Sequence, residues 1–316
     1  MGVMLPPRRA GADIVSALQP IFQRATIWLP YLWLIVFFLA PFLLVAKLSV
    51  SEPAIAQPPY LPAMNWLDGP IGWWRDIKTF SISNYTFLTQ DALYWKSYLS
   101  SVQIAFISTL LTLLIGFPLA YGMARAPRNL RPLLLMLVIL PFWTSFLIRV
   151  YAWIGILKKE GLLNQFLIWA GVISEPLTIM NTNWAVYIGI VYSYLPFMVL
   201  PLYANLEKQD GTLLEAAADL GCSKVSAFWQ ITWPLSRPGV IAGCMLVFIP
   251  AVGEFVIPSL LGGSSTLMIG RTLFDEFFQN RDWPVSSAVA IILLLILIIP
   301  IMLFQKSEAR AREQGA

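Results

Sequence analysis

Six apolar stretches of about twenty residues or more, set apart by polar segments, constrain this chain more than any other feature. They cover residues 27–48, 98–123, 132–157, 183–204, 239–261 and 284–304. At about 1.5 Å of rise per residue, a helix over each crosses the roughly 30 Å of hydrocarbon in a bilayer. Lipid offers no partner to a backbone N–H or C=O, so a spanning segment must close its hydrogen bonds internally, as a helix does. The pattern predicts an all-α, polytopic membrane protein with six transmembrane helices. A shorter apolar stretch, 162–173, cannot span and is expected at the interface or as a cap on the bundle.

Composition narrows the chemistry. The chain contains no histidine, which removes imidazole relays, Ser-His-Asp triads and His-based metal sites. Its two cysteines, Cys222 and Cys244, lack paired spacing and read as unpaired thiols. The net charge of +4 comes from Lys and Arg scattered through short loops, a distribution that argues against nucleic acid as a partner. No G-x-x-x-x-G-K-[ST] phosphate loop occurs, and the spans hold neither paired carboxylates nor a metal-ligand cluster. An enzyme is therefore not expected, and neither a metal nor a cofactor is assigned to this chain.

Basic residues set the expected orientation. Arg8, Arg9 and Arg24, then Arg125, Arg128 and Arg131, then Lys208, Lys224 and Arg237, then Lys306, Arg310 and Arg312 fall in alternate segments between the spans. Excess Lys and Arg marks the cytoplasmic side, so both termini are expected in the cytoplasm. Residues 1–26 are expected to form a cytoplasmic N-terminus, 27–304 a single six-helix transmembrane domain with a cytoplasmic loop at 205–237, and 305–316 a cytoplasmic tail. Ala54-Ile55-Ala56 resembles a signal-peptidase site, but the apolar stretch before it exceeds a signal's core, and it reads as a retained anchor. The Pro- and Trp-rich outer loop, with Trp66, Trp73 and Trp74, suits an interfacial aromatic belt or, as the alternative, a docking surface.

One cytoplasmic segment, TLLEAAADLGCSKVSAFWQITWPLSRPGV (212–240), breaks the apolar rhythm. Thr212 and Glu215 have capping-box spacing, which predicts a helix from about Leu213, and Gly221 is placed to end it in the left-handed conformation. Ser223 is expected to cap a second helix with Val225, Phe228, Trp229 and Thr232 on one face, halted by Pro234 before Pro238 opens the next span. Such a helix-turn-helix either lies on the lipid surface or fits a groove in a cytoplasmic partner.

The segment resembles the EAA loop of ABC-importer permeases. Glu215, Ala216, Ala217, Gly221, Ile231 and Pro234 match its residue types and spacing, and Trp233 departs from it where that family usually has Leu. The likeness extends to YLPFMVLPLY (194–203), MLVFIPAVGEFVIPSLLGG (245–263) and IGRTLFDEFFQNRDWPVSSAVAI (269–291), which resemble permeases of spermidine/putrescine importers, the putrescine type above all. The resemblance implies a type I ABC-importer fold in a bacterial inner membrane and ATP-driven import of a polyamine, putrescine or spermidine. It also implies an ABC ATPase dimer that carries ATP and Mg, a second homologous permease completing a heterodimer, and a periplasmic polyamine-binding protein. In that family the loop docks into the ATPase, with the acidic residue taking part.

Glu254 is a carboxylate inside the fifth apolar stretch, where an ionised side chain costs about 3 kcal/mol unless water or a partner receives it. Arg149 lies at a comparable depth of the third, so an ion pair between them is one reading. In the other, Glu254 attracts a passing ammonium group, with Tyr151, Trp153, Tyr192, Tyr194 and Phe255 as aromatic faces and Asp275 and Glu276 near the outer mouth. Pro258, Gly262 and Gly263 suggest a hinge at the outer end of the same span. A rival to the ATP-driven importer is an ion-gradient-driven secondary transporter of a small organic cation, in which Glu254 is protonated in each cycle.

Overall fold

The computed structural model describes residues 26–63 and 69–314; Arg8, Arg9, Arg24 and Trp66 lie outside them. Helix α1 (Thr26–Ser49) leads into a short antiparallel ribbon of β1 (Glu52–Pro53) and β2 (Tyr60–Leu61), followed by α2 (Gly69–Ile77) and α3 (Ser83–Gln90). Asn84 pins the ribbon's base by donating to the Ser49 and Ser51 carbonyls at 2.9 and 2.7 Å. Next come α4 (Ala92–Arg125), α5 (Arg131–Ile139) with a 3-10 turn to Trp143, α6 (Phe146–Leu157), α7 (Leu162–Trp169), α8 (Asn183–Leu206) and α9 (Thr212–Asp219). Helix α10 (Lys224–Val252), α11 (Val256–Leu261), α12 (Ile269–Phe278) and α13 (Trp283–Gln314) complete the order. Among the described residues, α1, α4, α8, α10 and the Trp283–Met302 part of α13 are each long and apolar enough to cross a membrane. The bent pair Arg131–Trp143 and Phe146–Trp169, counted as one span, brings the number to six.

Helices α4, α8 and α10 form the central core. Lipid tails are as apolar as leucine, so membrane helices associate through close fit rather than water release. The sequence provides that fit with small residues. Ser97, Ser101, Ser108, Thr112, Gly116, Ala120 and Ala124 make a buried stripe along α4. Met198 of α8, fully buried, is wedged between Gly116 of α4 and Gly243 of α10. A Cβ on Gly116 would lie 2.8 Å from the Met198 Cγ, and one on Gly243 would lie 2.7 Å from its Sδ and 3.1 Å from its carbonyl oxygen.

Two of the expected spans are not straight. The third bends by 89° between Trp143 and Phe146. Pro141 sits in the 3-10 turn that ends α5, and its carbonyl accepts from the Thr144 amide and hydroxyl instead of continuing the helix. The fifth is interrupted at Gly253–Phe255, a turn earlier than the expected hinge at Pro258, Gly262 and Gly263. Proline lacks an amide to bond four residues back but is tolerated in a helix's first turn. The chain therefore stops at Val252 and restarts at Val256, which puts Pro258 in the first turn of α11. Gly262 caps the end of α11, and Gly263 fits against the Asn181 backbone, where a Cβ would meet the carbonyl oxygen at 2.3 Å. Helix α7 presents Leu162, Phe166 and Trp169 outward, as an interfacial cap does.

The loop segment differs from expectation at both ends. No capping box forms: Thr212 is already helical, and the Asp210 carboxylate two residues earlier accepts its amide at 3.0 Å. That bond, together with one from the Thr212 side chain, holds Asp210 below the ordinary carboxylate range. Pro234 does not halt the second helix, which runs unbroken through Pro234 and Pro238. A π turn over Phe228–Thr232 shifts the register, so that the Trp233 amide bonds to the Phe228 carbonyl and the next residue, Pro234, has no amide to strand.

Candidate functional site

The break in the fifth span creates the site. Glu254, 8% exposed, turns its carboxylate onto the start of α11: Oε1 accepts from the Val256 amide at 3.0 Å and, weakly, from Ile257 at 3.4 Å. An acidic side chain suits a helix N-terminus, whose first amides have no intrahelical acceptor. Oε2 accepts from the Tyr194 hydroxyl of α8 at 2.6 Å, a short charge-assisted bond. Gly270 supports the break from behind, since a Cβ there would lie 2.3 Å from the Gly253 carbonyl oxygen and 2.7 Å from that of Glu254.

In front of Glu254 is a cavity of about 430 Å³, walled by Phe142, Phe146 and Arg149 on one side and by Ser193, Tyr194, Phe197 and the 253–256 turn on the other. Arg149 is 9% exposed and forms no ion pair with Glu254; the ion pairs among the described residues are Arg131–Glu207 and Arg271–Asp275. Its Nη1 donates to the Pro141 carbonyl at 2.7 Å, and its guanidinium lies 5.0 Å from the Phe142 ring centre and 5.9 Å from that of Phe146. Arg149 Nε and Ser193 Oγ are buried without partners among the described residues.

The structure divides the aromatic and acidic candidates. Glu254, Tyr194 and Phe255 share the cavity. Trp153 instead packs edge-on to Tyr192 at 5.3 Å, Tyr192 lines a separate apolar cavity with Leu195 and Pro196, and Tyr151 points away from the bundle, exposed. Asp275 pairs with Arg271 at 4.0 Å, and Glu276 accepts from Tyr94 at 2.8 Å and Asn280 at 2.9 Å; neither lines the Glu254 cavity. Close by, Asp282 caps the start of α13 through Val285. Burial pushes its carboxyl up, the Val285 amide opposes that, and Glu276 adds to it. Phe142, Phe146, Ser193, Phe197 and Gly270 are absent from the sequence candidates. Pro141, which marks the bend bringing the two phenylalanines inward, was the available signal for them.

At the opposite end of the bundle, α9 closes in a Schellman motif. Gly221 has φ +79°, the Cys222 amide bonds to Ala217 O and the Gly221 amide to Ala218 O, both at 2.9 Å. Ser223 then accepts from the Ser226 amide at 3.2 Å and caps the next helix. The expected ridge splits into two faces. Thr232 is buried and Phe228 packs edge-on against Phe117 and Tyr121 of α4, whereas Val225 (70% exposed) and Trp229 (58%) point outward with Leu220 (88%) and Leu213 (46%). Glu215, with Arg125, Lys224 and Leu214, lines a cleft of about 370 Å³ between this helix pair and α4. Ala216 is exposed on α9 with Ala217 half-buried beside it, and Ile231 and Pro234 sit half-buried where α10 enters the bundle.

A bundle of membrane-length helices, interrupted by a charged cavity and carrying an unpartnered apolar helix pair at one end, is the architecture of a transport permease. Residues 112–311 match the binding-protein-dependent transport system inner membrane components, and the chain belongs to that family. It is therefore a multi-pass inner-membrane transport subunit and not an enzyme. It is 46% identical over 229 residues, 72% of this chain and 83% of the relative, to the spermidine/putrescine transport system permease protein PotB of Escherichia coli strain K12. PotB of Haemophilus influenzae is 45% identical over 228 residues, 72% and 79% of the two chains. The molybdenum transport system permease protein ModB of Mycobacterium bovis is 32% identical over 204 residues, 63% and 74%. A bacterial ABC transporter involved in the import of the acidic polysaccharide alginate shares the fold, with a TM-score of 0.67 at 15% identity over 94% of this chain and 99% of the other.

Proposed function

We propose that this chain is one of two homologous permease subunits of an ATP-driven importer that carries a polyamine, putrescine or spermidine, into the cytoplasm. The observation that carries the reading is the Leu213, Leu220, Val225 and Trp229 face on the helix pair outside the bundle. A rigid, Gly221-closed knob of this kind suits insertion into a partner's groove. The partner is an ABC ATPase dimer, which holds the ATP and Mg that this chain has no loop to bind, and Glu215 lies beside the contact. Nucleotide-driven closure of the ATPases pushes the knob. Because α10 runs unbroken from Lys224 to Val252, that push reaches the Glu254 turn as a movement of one rigid helix.

The polyamine reading is supported by the names of the PotB relatives and by the chemistry of the cavity, where Glu254, Tyr194 and Phe255 offer an anion and aromatic faces to an ammonium group. A periplasmic polyamine-binding protein delivers the substrate to the end bearing the β-ribbon, and the basic loops support a cytoplasmic location for both termini. The test is reconstitution of both permeases and the ATPase in liposomes with the binding protein and labelled putrescine or spermidine. Uptake is expected only with ATP and the binding protein, and is expected to fail when Glu215 and Gly221 are both replaced. Accumulation without the ATPase, driven by an ion gradient, would overturn the reading.

A further inference from the structure

Among the described residues Arg149 is a buried cation without a carboxylate partner, in the wall of the same cavity as Glu254. A polycation route has no evident use for a fixed positive charge there, and the charge is only partly satisfied. Its hydrogen bond goes to a carbonyl, Pro141 O, that already serves the Thr144 amide and hydroxyl. Two phenylalanine faces hold the guanidinium, and Phe142 is itself braced edge-on against Phe197 of α8 at 5.3 Å. Nε keeps a buried proton with no acceptor. On the other wall, the Glu254 carboxylate accepts from two backbone amides and one hydroxyl, three of about four available lone-pair directions.

We infer that Arg149 is a tethered competitor for the cation subsite at Glu254, an inference that rests on the polyamine reading above. Parked on Pro141 between Phe142 and Phe146, the guanidinium leaves the last acceptor direction of Glu254 to an arriving ammonium group. The parked position exchanges with a second one, in which the side chain crosses the cavity, gives its orphan Nε–H an acceptor and fills the subsite with its own charge; substrate at Glu254 excludes that second position. The exchange keeps small cations from slipping through and sets how strongly a substrate must bind to enter. The parking place lies at the 89° bend between α5 and α6, so a change in that bend shifts the balance between the two positions.

The test uses the complete transporter in liposomes, with two readouts: ATP-driven uptake of labelled spermidine and ATP-free efflux of preloaded labelled methylammonium. Arg149→Met removes the competitor, so methylammonium efflux is expected to rise on the order of tenfold, and adding Glu254→Gln is expected to abolish the increase. Phe142→Leu weakens the parking place while leaving the charge, and should act in the opposite sense. It should raise the spermidine KM on the order of fivefold without a leak, an effect that Arg149→Met in the same chain cancels. Should Arg149→Met fail to assemble, the Phe142→Leu arm decides alone. An unchanged KM in Phe142→Leu, or a methylammonium leak in Arg149→Met that ignores Glu254→Gln, would overturn the competitor. If Glu254→Gln alone leaves the spermidine KM unchanged, the polyamine reading of the cavity fails instead.

Discussion

Replacing Gly270 by alanine tests whether the break around Glu254 is held from behind. The added Cβ would meet the Gly253 carbonyl oxygen at 2.3 Å and the Glu254 carbonyl oxygen at 2.7 Å, where ordinary contacts begin at 3.4 Å. Relieving the closer contact, from 2.3 to 3.4 Å, requires a displacement of about 1 Å. Both obstacles are backbone atoms, so no side chain can rotate away, and the cost belongs at the upper end of the roughly 1–3 kcal/mol of overpacking. The displaced turn carries Glu254, whose bonds to Val256 at 3.0 Å and Tyr194 at 2.6 Å tolerate little of such a shift. In the reconstituted transporter, Gly270→Ala is expected to lower the thermal unfolding temperature and spermidine uptake together while ATPase binding is retained, because Gly270 is remote from the α9–α10 knob. Gly122→Ala, where nothing lies within 4 Å of the new methyl, is the control and should be neutral or slightly stabilising. If the two variants are indistinguishable in stability and uptake, Gly270 does not support the break.

At Gly221, with φ +79° and no atom within 4 Å of where a Cβ would stand, the penalty of substitution is conformational alone. Alanine should loosen the α9 closure by about 1–2 kcal/mol and asparagine by less, read as ATPase co-purification and hydrogen exchange at Cys222. Gly243→Val should force Met198 from its socket and destabilise the bundle by roughly 1–3 kcal/mol; Met198→Ala in the same chain should recover part of the loss in thermal unfolding. Asp282, with its carboxyl raised by burial, keeps its proton to higher pH when folded than when unfolded. In the window between those two pKa values the folded state binds more protons, so stability falls as pH rises through it, and Asp282→Asn should flatten that dependence in melting curves taken across the window.

The length and spacing of the apolar blocks were enough to predict a helical membrane protein, because lipid leaves the backbone no other way to satisfy its polar groups. The Gly221 turn and the Ser223 cap were equally legible, since each depends on the residue's own backbone or on an amide three positions away. Other local signals misled where a neighbour offered a better partner. Asp210 took the amide assigned to a Thr212–Glu215 box, and a π turn let α10 pass Pro234. Only the tertiary structure decided that Glu254 ends one helix and caps another, that Arg149 faces it without pairing, and that Tyr151, Trp153 and Tyr192 lie away from their cavity. Helical periodicity tells which residues share a face but not which face meets which. That choice was made by glycines on separate helices, Gly116 and Gly243 around Met198 and Gly270 behind residue 254, through contacts between segments more than ten residues apart in the chain.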